Sequence, residues 1–131
     1  MKTIKLILVD DNKMFRESVR DLLVTKFNYE IIAEASSGEE FLKLPKSLLP
    51  DVILMDLSMP QIDGFEATKN YFWEFPHSRI IAVTNHIEKV YLEKLMHVGF
   101  KGCVFKNHIF NELQPAIEAV LKGRYWFQMD V

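Results

Sequence analysis

The sequence of 131 residues contains a single cysteine, Cys103, and no surplus of positive charge. One cysteine excludes a disulfide within the chain and is typical of a protein from a reducing compartment. Sixteen Lys and Arg residues stand against 18 Asp and Glu residues, which gives a net charge of -2. This balance argues against a broadly basic surface for nucleic acid and against a membrane-surface role.

Long apolar runs, internal repeats and low-complexity tracts are also missing from the chain. The first apolar run, residues 4–9, stops at Asp10. It is far shorter than the roughly 18–20 residues that span a bilayer, and its flanks are wrong for a signal peptide. With 49% hydrophobic and 26% charged residues, the composition is that of a globular domain with one core. We therefore expect a soluble, cytoplasmic single domain.

Five short apolar runs predict β-strands, and most carry their apolar residues consecutively, as strands buried on both faces of a parallel sheet do. The runs are residues 4–9, 30–35, 52–55, 79–83 and 103–105. Helical periodicity lies between them and after the last. Strand–helix alternation repeated five times predicts right-handed βαβ units, and therefore an α/β fold with helices on both faces of a parallel sheet.

Polar caps and prolines mark the expected helix boundaries. Asn12 is placed to cap the first helix, and Ser37 with Glu40 has the spacing of a capping box for the second. The third helix is expected between residues 64 and 76, and the fourth over residues 87–96. Pro115 lies within the fifth helical pattern, which we therefore expect to begin near Asn111 or to have a distorted first turn.

Polar residues interrupt the apolar pattern where the predicted strands end. Asp10 and Asp11 follow the first strand, Asp56 follows the third, Thr84 the fourth and Lys106 the fifth. In a parallel sheet these ends lie on one edge, where open α/β sheets bind ligands at the topological switch point. Three acids, a hydroxyl and an ammonium are thus predicted to converge in one cleft.

Such a cluster has a defined chemistry. Two carboxylates about 4 Å apart repel by roughly 4 kcal/mol at an effective dielectric constant near 20, so the group must hold protons or a cation. Hard oxygen ligands without neighbouring His or Cys favour Mg²⁺ over Zn²⁺. Mg²⁺ beside a carboxylate, a lysine and a threonine suits phosphoryl transfer, in which a carboxylate can be the nucleophile and form an aspartyl phosphate.

These residues resemble the receiver domain of bacterial two-component response regulators. The matching segments occur in the family's order: Val9-Asp10-Asp11, then Asp-Leu-Ser-Met-Pro-Gln-Ile-Asp-Gly over residues 56–64, Val83-Thr84 and Lys106. Asn-Lys-Met-Phe-Arg-Glu from residue 12, and Leu-x-x-Ala-Ile-x-x-Val-x-x-Gly-Arg-Tyr from residue 113, look most like the NarL/LuxR type.

The resemblance implies an architecture as well as a function. The fold would be a doubly wound, flavodoxin-like (βα)5 three-layer sandwich with a five-stranded parallel sheet of order 2-1-3-4-5. Residues 1–122 would form the receiver domain. Residues 123–131 would be a C-terminal tail, or the start of a linker to an effector domain outside this chain.

Carried over position by position, the resemblance also implies the roles of the acids and the lysine. Asp56 would be the phosphoacceptor. Asp11 and the backbone carbonyl of Ser58 would bind Mg²⁺ together with Asp56, while Asp10 would act directly or through water. Lys106 would pair first with the acceptor carboxylate and then with the phosphoryl oxygens.

The switch is where this sequence departs from the family. Thr84 would donate its hydroxyl to a phosphoryl oxygen and move together with an aromatic residue three positions before the lysine. That position holds Cys103 here, which puts the usual Thr-to-aromatic relay in doubt. His86 and Tyr91 lie nearby in sequence and are candidate substitutes.

Simpler structural interpretations stand beside these roles. Asp10 and Asp11 could stabilise the first helix through its dipole, Thr84 could cap the fourth helix, and Lys106 could be solvated. Cys103 is expected to be a small core residue on an inner strand rather than a reactive thiol. The four histidines show no metal-ligand spacing and are expected at or near the surface.

The leading hypothesis is a phospho-switch that catalyses only its own phosphorylation and dephosphorylation and is not otherwise an enzyme. Its partner would be a sensor histidine kinase or a phosphotransfer protein. Phosphorylation would change the surface formed by the fourth helix, the fifth strand and the fifth helix, with possible homodimerisation there. The output would be transcription through a LuxR-type DNA-binding domain missing here, so this chain would contact neither DNA nor a membrane itself.

Two other functions are open at this point. A Mg²⁺-dependent phosphohydrolase would also form an aspartyl phosphate, but Ser58 stands where haloacid-dehalogenase-type phosphatases carry their second acid, and no cap domain fits the length. A stand-alone or degenerate receiver would act as a protein-interaction module without DNA binding. Only the absent aromatic residue at Cys103 favours the degenerate form.

Overall fold

The computed structural model describes residues 2–57, 59, 63–85 and 89–127, without the side chains of residues 89–91. Strands and helices alternate along the chain. The strands are β1 Lys5–Val9, β2 Glu30–Ala35, β3 Val52–Asp56, β4 Ile80–Thr84 and β5 Gly102–Phe105. The helices are α1 Lys13–Asp21, α2 Gly38–Leu42, α3 Gly64–Glu74, α4 Lys89–Val98 and α5 Ile109–Leu121. The predicted elements are confirmed, with strand ends shifted by at most one residue.

The five strands form one parallel sheet of order β2-β1-β3-β4-β5, which confirms the flavodoxin-like topology. After β1 the chain crosses to one side to form β2, then returns to the other side of β1 to form β3. The topological switch point therefore lies between the carboxyl ends of β1 and β3, where a crevice opens in folds of this kind.

Two apolar cores cover the two faces of the sheet. Side chains alternate along each strand, so that Ile7 and Val9 of β1 pack towards α2, α3 and α4, while Leu6 and Leu8 pack towards α1 and α5. Every residue of β3 and β4 is buried. Consecutive apolar runs therefore mark strands covered on both faces, as the sequence predicted.

The N-terminal caps agree closely with the sequence. The Asn12 side chain accepts a hydrogen bond from the Phe15 amide at 3.0 Å, and the Ser37 hydroxyl accepts one from the Glu40 amide at 3.1 Å. The Glu40 carboxylate turns to the Ser36 amide and hydroxyl instead of closing the box on Ser37. A single π-helical turn continues α1 through Leu22–Lys26.

The fifth helix begins two residues before Asn111, and an irregular turn precedes it, in line with the second of the two expectations. A 3-10 turn, Lys106–His108, leads directly into α5 at Ile109, so that Pro115 lies well inside the helix. Proline removes the hydrogen bond to the carbonyl of Asn111. Both residues are exposed, so solvent can satisfy that carbonyl while the apolar stripe on the opposite side holds the helix to the sheet.

The segment after α5 packs against the sheet rather than running free. Trp126 forms a parallel bridge with Gly102: its amide donates to the Lys101 carbonyl at 3.0 Å, and its carbonyl accepts from the Cys103 amide at 2.9 Å. A Cβ on Gly102 would lie 3.0 Å from the Trp126 carbonyl oxygen, so glycine permits this close approach. β5 is thus an edge strand of the sheet, not the inner strand expected for Cys103, and Trp126 covers part of its outer edge.

Among the residues that the structure describes, no helix combines the length and the apolar character needed to cross a bilayer.

Replacing Trp126 tests how much the C-terminal segment stabilises the domain. The side chain packs against the core beneath α5, but its indole N–H is buried without a hydrogen-bond partner. We expect Trp126→Ala to lower the free energy of unfolding by about 2 kcal/mol through lost packing. Trp126→Phe keeps most of the packing and removes the unsatisfied donor, so it should cost less than about 0.5 kcal/mol.

Urea denaturation followed by circular dichroism measures both changes. Trp73, which is 84% exposed, provides the matched control, since Trp73→Ala should change stability by less than about 0.5 kcal/mol. Equal effects at positions 73 and 126 would contradict a stabilising role for the C-terminal segment.

Candidate functional site

Three carboxylates meet at the switch point. Asp10 and Asp11 directly follow β1, and Asp56 is the last residue of β3. One oxygen from each lies within 4.8 Å of the others. Asp10 and Asp56 are only 5% and 3% exposed, whereas Asp11 is exposed. The structure therefore brings together the three acids that the sequence singled out, with one open to solvent.

Lys106 brings a positive charge to this cluster. It opens the 3-10 turn after β5, and its Nζ lies 2.8 Å from Oδ2 of Asp10 and 3.8 Å from Oδ1 of Asp56. The lysine side chain is 15% exposed, so the pairing is largely shielded from water. The simpler reading of Lys106 as a solvated lysine is wrong. In this structure the ammonium is closer to Asp10 than to Asp56.

The turn between β1 and α1 is held by hydrogen bonds that sequence reasoning did not assign. The Asn12 amide donates to Oδ1 of Asp10 at 2.8 Å, a local turn that also orients the carboxylate. Arg16 donates from Nη1 to the Asp10 backbone carbonyl at 2.6 Å and from Nε to Glu34 at 3.0 Å. The motif that carried the family resemblance includes Arg16, but nothing in the sequence shows that its target is the Asp10 carbonyl.

Gly64 sets the position of the chain after β3. It is the first residue of α3, with the Asp63 side chain as N-cap. A Cβ at residue 64 would lie 2.1 Å from the Asp56 carbonyl oxygen and 2.9 Å from the Leu57 Cα, both backbone atoms that cannot turn away. Glycine is therefore required here for space, because α3 begins directly against the strand end that carries Asp56.

We expect Gly64→Ala to lower the free energy of unfolding by about 1–3 kcal/mol, because the added methyl group forces the Asp56 backbone or the start of α3 to move. Chemical denaturation measures the loss. Lys69→Ala on the exposed side of the same helix should change stability by less than about 0.5 kcal/mol. A Gly64→Ala protein as stable as the parent would contradict the steric role of Gly64.

Thr84 lies at the end of the fourth strand, as the sequence predicts, whereas several other candidate site residues lie outside the part of the chain that the structure describes. Thr84 is the buried last residue of β4, directly after Val83, which is in register with Asp56. The strand ends carrying Asp56 and Thr84 are therefore neighbours. Ser58 and His86 lie outside the described residues, as does the side chain of Tyr91, so their predicted roles stay predictions.

Cys103 is a core residue, as predicted. Its side chain is 3% exposed and packs in the core between the sheet and α2, α3 and α4. Burial, and secondarily the charge of Glu112, raises the pKa of Cys103 to about 12. The histidines that the structure describes, His77, His97 and His108, are exposed as expected.

The raised pKa makes Cys103 a poor nucleophile. Relative to an ordinary thiol pKa of 9.0, the thiolate fraction at pH 8 falls about a thousandfold. Labelling with a disulfide reagent at pH 8 should therefore be at least about a hundredfold slower in the native protein than in guanidinium chloride. Equal labelling rates in the two solvents would show that Cys103 is not buried and that its pKa is not raised.

The donor set of the acidic cluster fits a hard divalent cation. Three carboxylates outnumber the ammonium of Lys106, so negative charge remains at the site. The exposed position of Asp11 leaves room for water ligands, which Mg²⁺ usually keeps in proteins. Asp10, Asp11 and Asp56 are thus residues that could hold Mg²⁺.

Comparison with known proteins identifies the family of the chain. Residues 6–118 match the model of the response regulator receiver domain family, and the chain belongs to this family. It is similar to response regulator GacA of Pseudomonas syringae pv. syringae, 33% identical over 128 residues that cover 98% of this chain and 60% of the relative. Transcriptional regulatory protein DegU of Brevibacillus brevis is 30% identical over 120 residues, which cover 92% of this chain and 51% of the relative.

A solved structure gives the same assignment. The crystal structure of a LuxR-family two-component response regulator from Aurantimonas sp. has a TM-score of 0.89 and 34% identity to this chain, with 95% of this chain and 89% of that chain covered. The chain spans about half to three-fifths of the length of these curated relatives. It is a receiver domain of two-component signalling, with neighbours of the LuxR type.

Proposed function

We propose that the chain accepts a phosphoryl group on Asp56, in a Mg²⁺-dependent reaction, and acts as a switch rather than as an enzyme on other substrates. One observation carries the proposal: a nearly buried carboxylate at the switch point lies between two further acids and one lysine. A carboxylate in such surroundings has a cation to neutralise its charge and an ammonium to receive the incoming oxygens.

Asp10, Asp11 and Asp56 would hold Mg²⁺, together with the backbone carbonyl of Ser58. The ion would supply charge neutralisation between the acceptor and the phosphoryl oxygens. Asp11 supports this assignment because it is exposed beside the two buried acids, so that a hydrated ion can reach the cluster. The fixed turn from Asp10 to Arg16 keeps the ligands in place before any ion arrives.

In the transfer step, a carboxylate oxygen of Asp56 attacks the phosphorus of a phosphorylated imidazole on the partner. The new O–P bond forms while the P–N bond breaks, and the electron pair leaves with the imidazole nitrogen, which takes up a proton from solvent. The product is an acyl phosphate on Asp56 and a neutral imidazole. The donor would be a sensor histidine kinase or a phosphotransfer protein, and Met14 on α1, 79% exposed, is a candidate contact.

Lys106 and Thr84 would then contact the phosphoryl group on Asp56. The Lys106 ammonium lies 3.8 Å from Oδ1 of Asp56, within reach of a phosphoryl group attached there. Thr84 ends the neighbouring strand and would donate its hydroxyl to another phosphoryl oxygen. The new contacts would favour one of two existing conformations, so that the output is a shift in their populations.

The output surface would be formed by α4, β5 and α5. Met96 on α4 and Phe110 on α5 are large apolar residues that are half or more exposed, as expected of a surface that binds a partner. A homodimer through this surface would place two effector domains side by side. DNA binding and transcriptional control would belong to a LuxR-type domain outside this chain.

The central test is the intact mass after incubation with acetyl phosphate or phosphoramidate. We expect the wild-type chain to gain one phosphoryl group with Mg²⁺ and none with EDTA. Asp56→Asn should gain none under either condition, because the amide is not a nucleophile for this reaction. Asp63→Asn is the matched control: it makes the same chemical change nearby and keeps the N-cap of α3, so it should be phosphorylated like the wild type.

Phosphorylation of Asp56→Asn to the wild-type extent would contradict the assignment of the acceptor. Failure of the wild type with both small donors, and with a panel of histidine kinases, would favour the alternative of an interaction module that works without phosphorylation. Cys103 in place of an aromatic residue is the observation that favours this alternative. Turnover of a generic phosphomonoester would instead indicate a phosphohydrolase.

Lys106→Ala separates phosphorylation from the response to it. The acceptor and the metal ligands stay in place, so the variant should still gain one phosphoryl group. It should lose the change in the α4–β5–α5 surface, measured as hydrogen exchange of these elements before and after phosphorylation. A Lys106→Ala chain with a normal exchange response would contradict the role given to Lys106.

A further inference from the structure

Lys106 has an aromatic contact that the proposed function does not use. Its Nζ lies 4.3 Å from the centroid of the Phe15 ring. The same ammonium lies 2.8 Å from Asp10 and 3.8 Å from Asp56. Phe15 belongs to α1, which packs on the face of the sheet opposite to Cys103. An aromatic ring and the acceptor carboxylate therefore share one cation.

We propose that Phe15 is the aromatic residue through which this receiver reports the state of Asp56, and that the surface it controls is that of α1. The proposal rests on the proposed function, because it requires a phosphoryl group on Asp56. In the unmodified protein Phe15 and Asp10 hold the ammonium. After modification the phosphoryl oxygens draw it away from the ring, and Phe15 is released.

The relative strengths of the two attractions support this exchange. A cation–π contact favours the ring-bound position of an ammonium by about 2- to 30-fold. The interaction energy of two opposite unit charges about 4 Å apart near a protein surface is at least about twice that of a cation–π contact. Asp10 and Asp56 already attract the ammonium in the unmodified protein, and the ring contact persists beside them. A phosphoryl group adds further negative charge and acceptor oxygens beside Asp56, and this increase draws the ammonium away from the ring.

A small cavity lies beside the ring of Phe15 and gives it room for a small displacement. The ring is half-buried, and beside it is a small apolar cavity of about 20 Å³. Four aliphatic side chains from the sheet, α1 and α5 help to line it: Val19, Leu54, Val83 and Ile109. A space of this size holds about one water molecule, so it allows the ring to tilt but not to enter it. Such a tilt changes the packing under α1, where the preceding residue, Met14, projects into solvent.

Position 103 cannot play this part. Cysteine has no ring to attract a cation, and Cys103 is packed in the core on the α2–α4 face. Its backbone is tied to Trp126 as well. In the part of the chain that the structure describes, Phe15 is the aromatic ring recorded against the Lys106 ammonium. The location of the ring therefore predicts a response on α1 in addition to any on α4.

Nuclear magnetic resonance of a chain with labelled lysine ε-carbons and methionine methyls tests the proposal. The probe is beryllium fluoride with Mg²⁺, a mimic of the phosphoryl group. A ring face shields nearby protons, so we expect the ε-protons of Lys106 to resonate upfield of those of exposed lysines. Beryllium fluoride should remove most of this displacement and shift the Met14 methyl with the same titration midpoint. Loss of the signal in Lys106→Arg identifies it.

Two variants at position 15 separate the ring from its apolar volume. Phe15→Leu should abolish the upfield displacement of Lys106 and the movement of the Met14 methyl. Phe15→Trp keeps an aromatic face and should restore both. The control is Phe27→Leu, the same substitution at a ring that lies 5.8 Å from Lys26; it should leave the Lys106 and Met14 signals unchanged.

The outcomes separate the role of Phe15 from the phosphoacceptor function of the chain. Binding of beryllium fluoride is followed separately, in the amide signals of Asp56 and Leu57 of a nitrogen-labelled sample. Binding together with an unmoved Met14 methyl, or with a Phe15→Leu protein that responds like the wild type, would overturn the role of Phe15 alone. No binding to the wild type would overturn the phosphoacceptor function and this inference with it. Loss in Phe15→Leu with rescue by Phe15→Trp would support both.

Discussion

Repulsion among three carboxylates at the switch point of the sheet is the constraint on which the rest of this structure depends. At an effective dielectric constant near 20, two carboxylates about 4 Å apart repel by roughly 4 kcal/mol, and by less where water screens the exposed Asp11. Burial of Asp10 and Asp56 adds a desolvation penalty. Lys106 offsets part of this cost by contacting Asp10 and Asp56. The Asn12 amide offsets another part through Asp10. Negative charge still remains, and a divalent cation is suited to balance it.

The main features of the site could be predicted from the sequence for a simple physical reason. Strands buried on both faces are apolar throughout, so Asp56 and Thr84 at their ends stand out, and a parallel sheet brings such ends to one edge. Periodicity also predicts that Phe15 faces inward. It cannot predict that a lysine from the far end of the chain reaches the Phe15 ring, because that contact depends on side-chain directions after α1 and β5 have packed.

The sequence did not predict the contact between the C-terminal segment and β5, for the same reason. Trp126 pairs with the outer edge of β5 through backbone hydrogen bonds, and no local pattern marks a single bridging residue. Gly102 is a local sign of it, since a Cβ there would lie 3.0 Å from the Trp126 carbonyl oxygen, closer than side chains usually approach. Pro115 predicted a later start of the fifth helix or an irregular first turn, and the structure has a 3-10 turn before a helix that continues through the proline. The helix-breaking propensity of Pro115 is outweighed by the apolar stripe of α5, which packs on the sheet on both sides of the proline.

The hydrogen bonds that hold β5 influence which surface can respond to a charge change at Asp56. Its residues are hydrogen-bonded to β4 on one side, and Cys103 is bonded to Trp126 on the other. The bridge to Trp126 restrains the start of this edge strand. The Lys106 side chain lies just beyond its other end, 3.8 Å from Asp56, and is therefore the group of this segment that meets a charge change there. That side chain points to the α1 side, where it meets Phe15. Position 103 itself contributes no ring on the α4 side of β5, since its side chain is that of a cysteine. The geometry of β5 thus directs the earliest response towards α1.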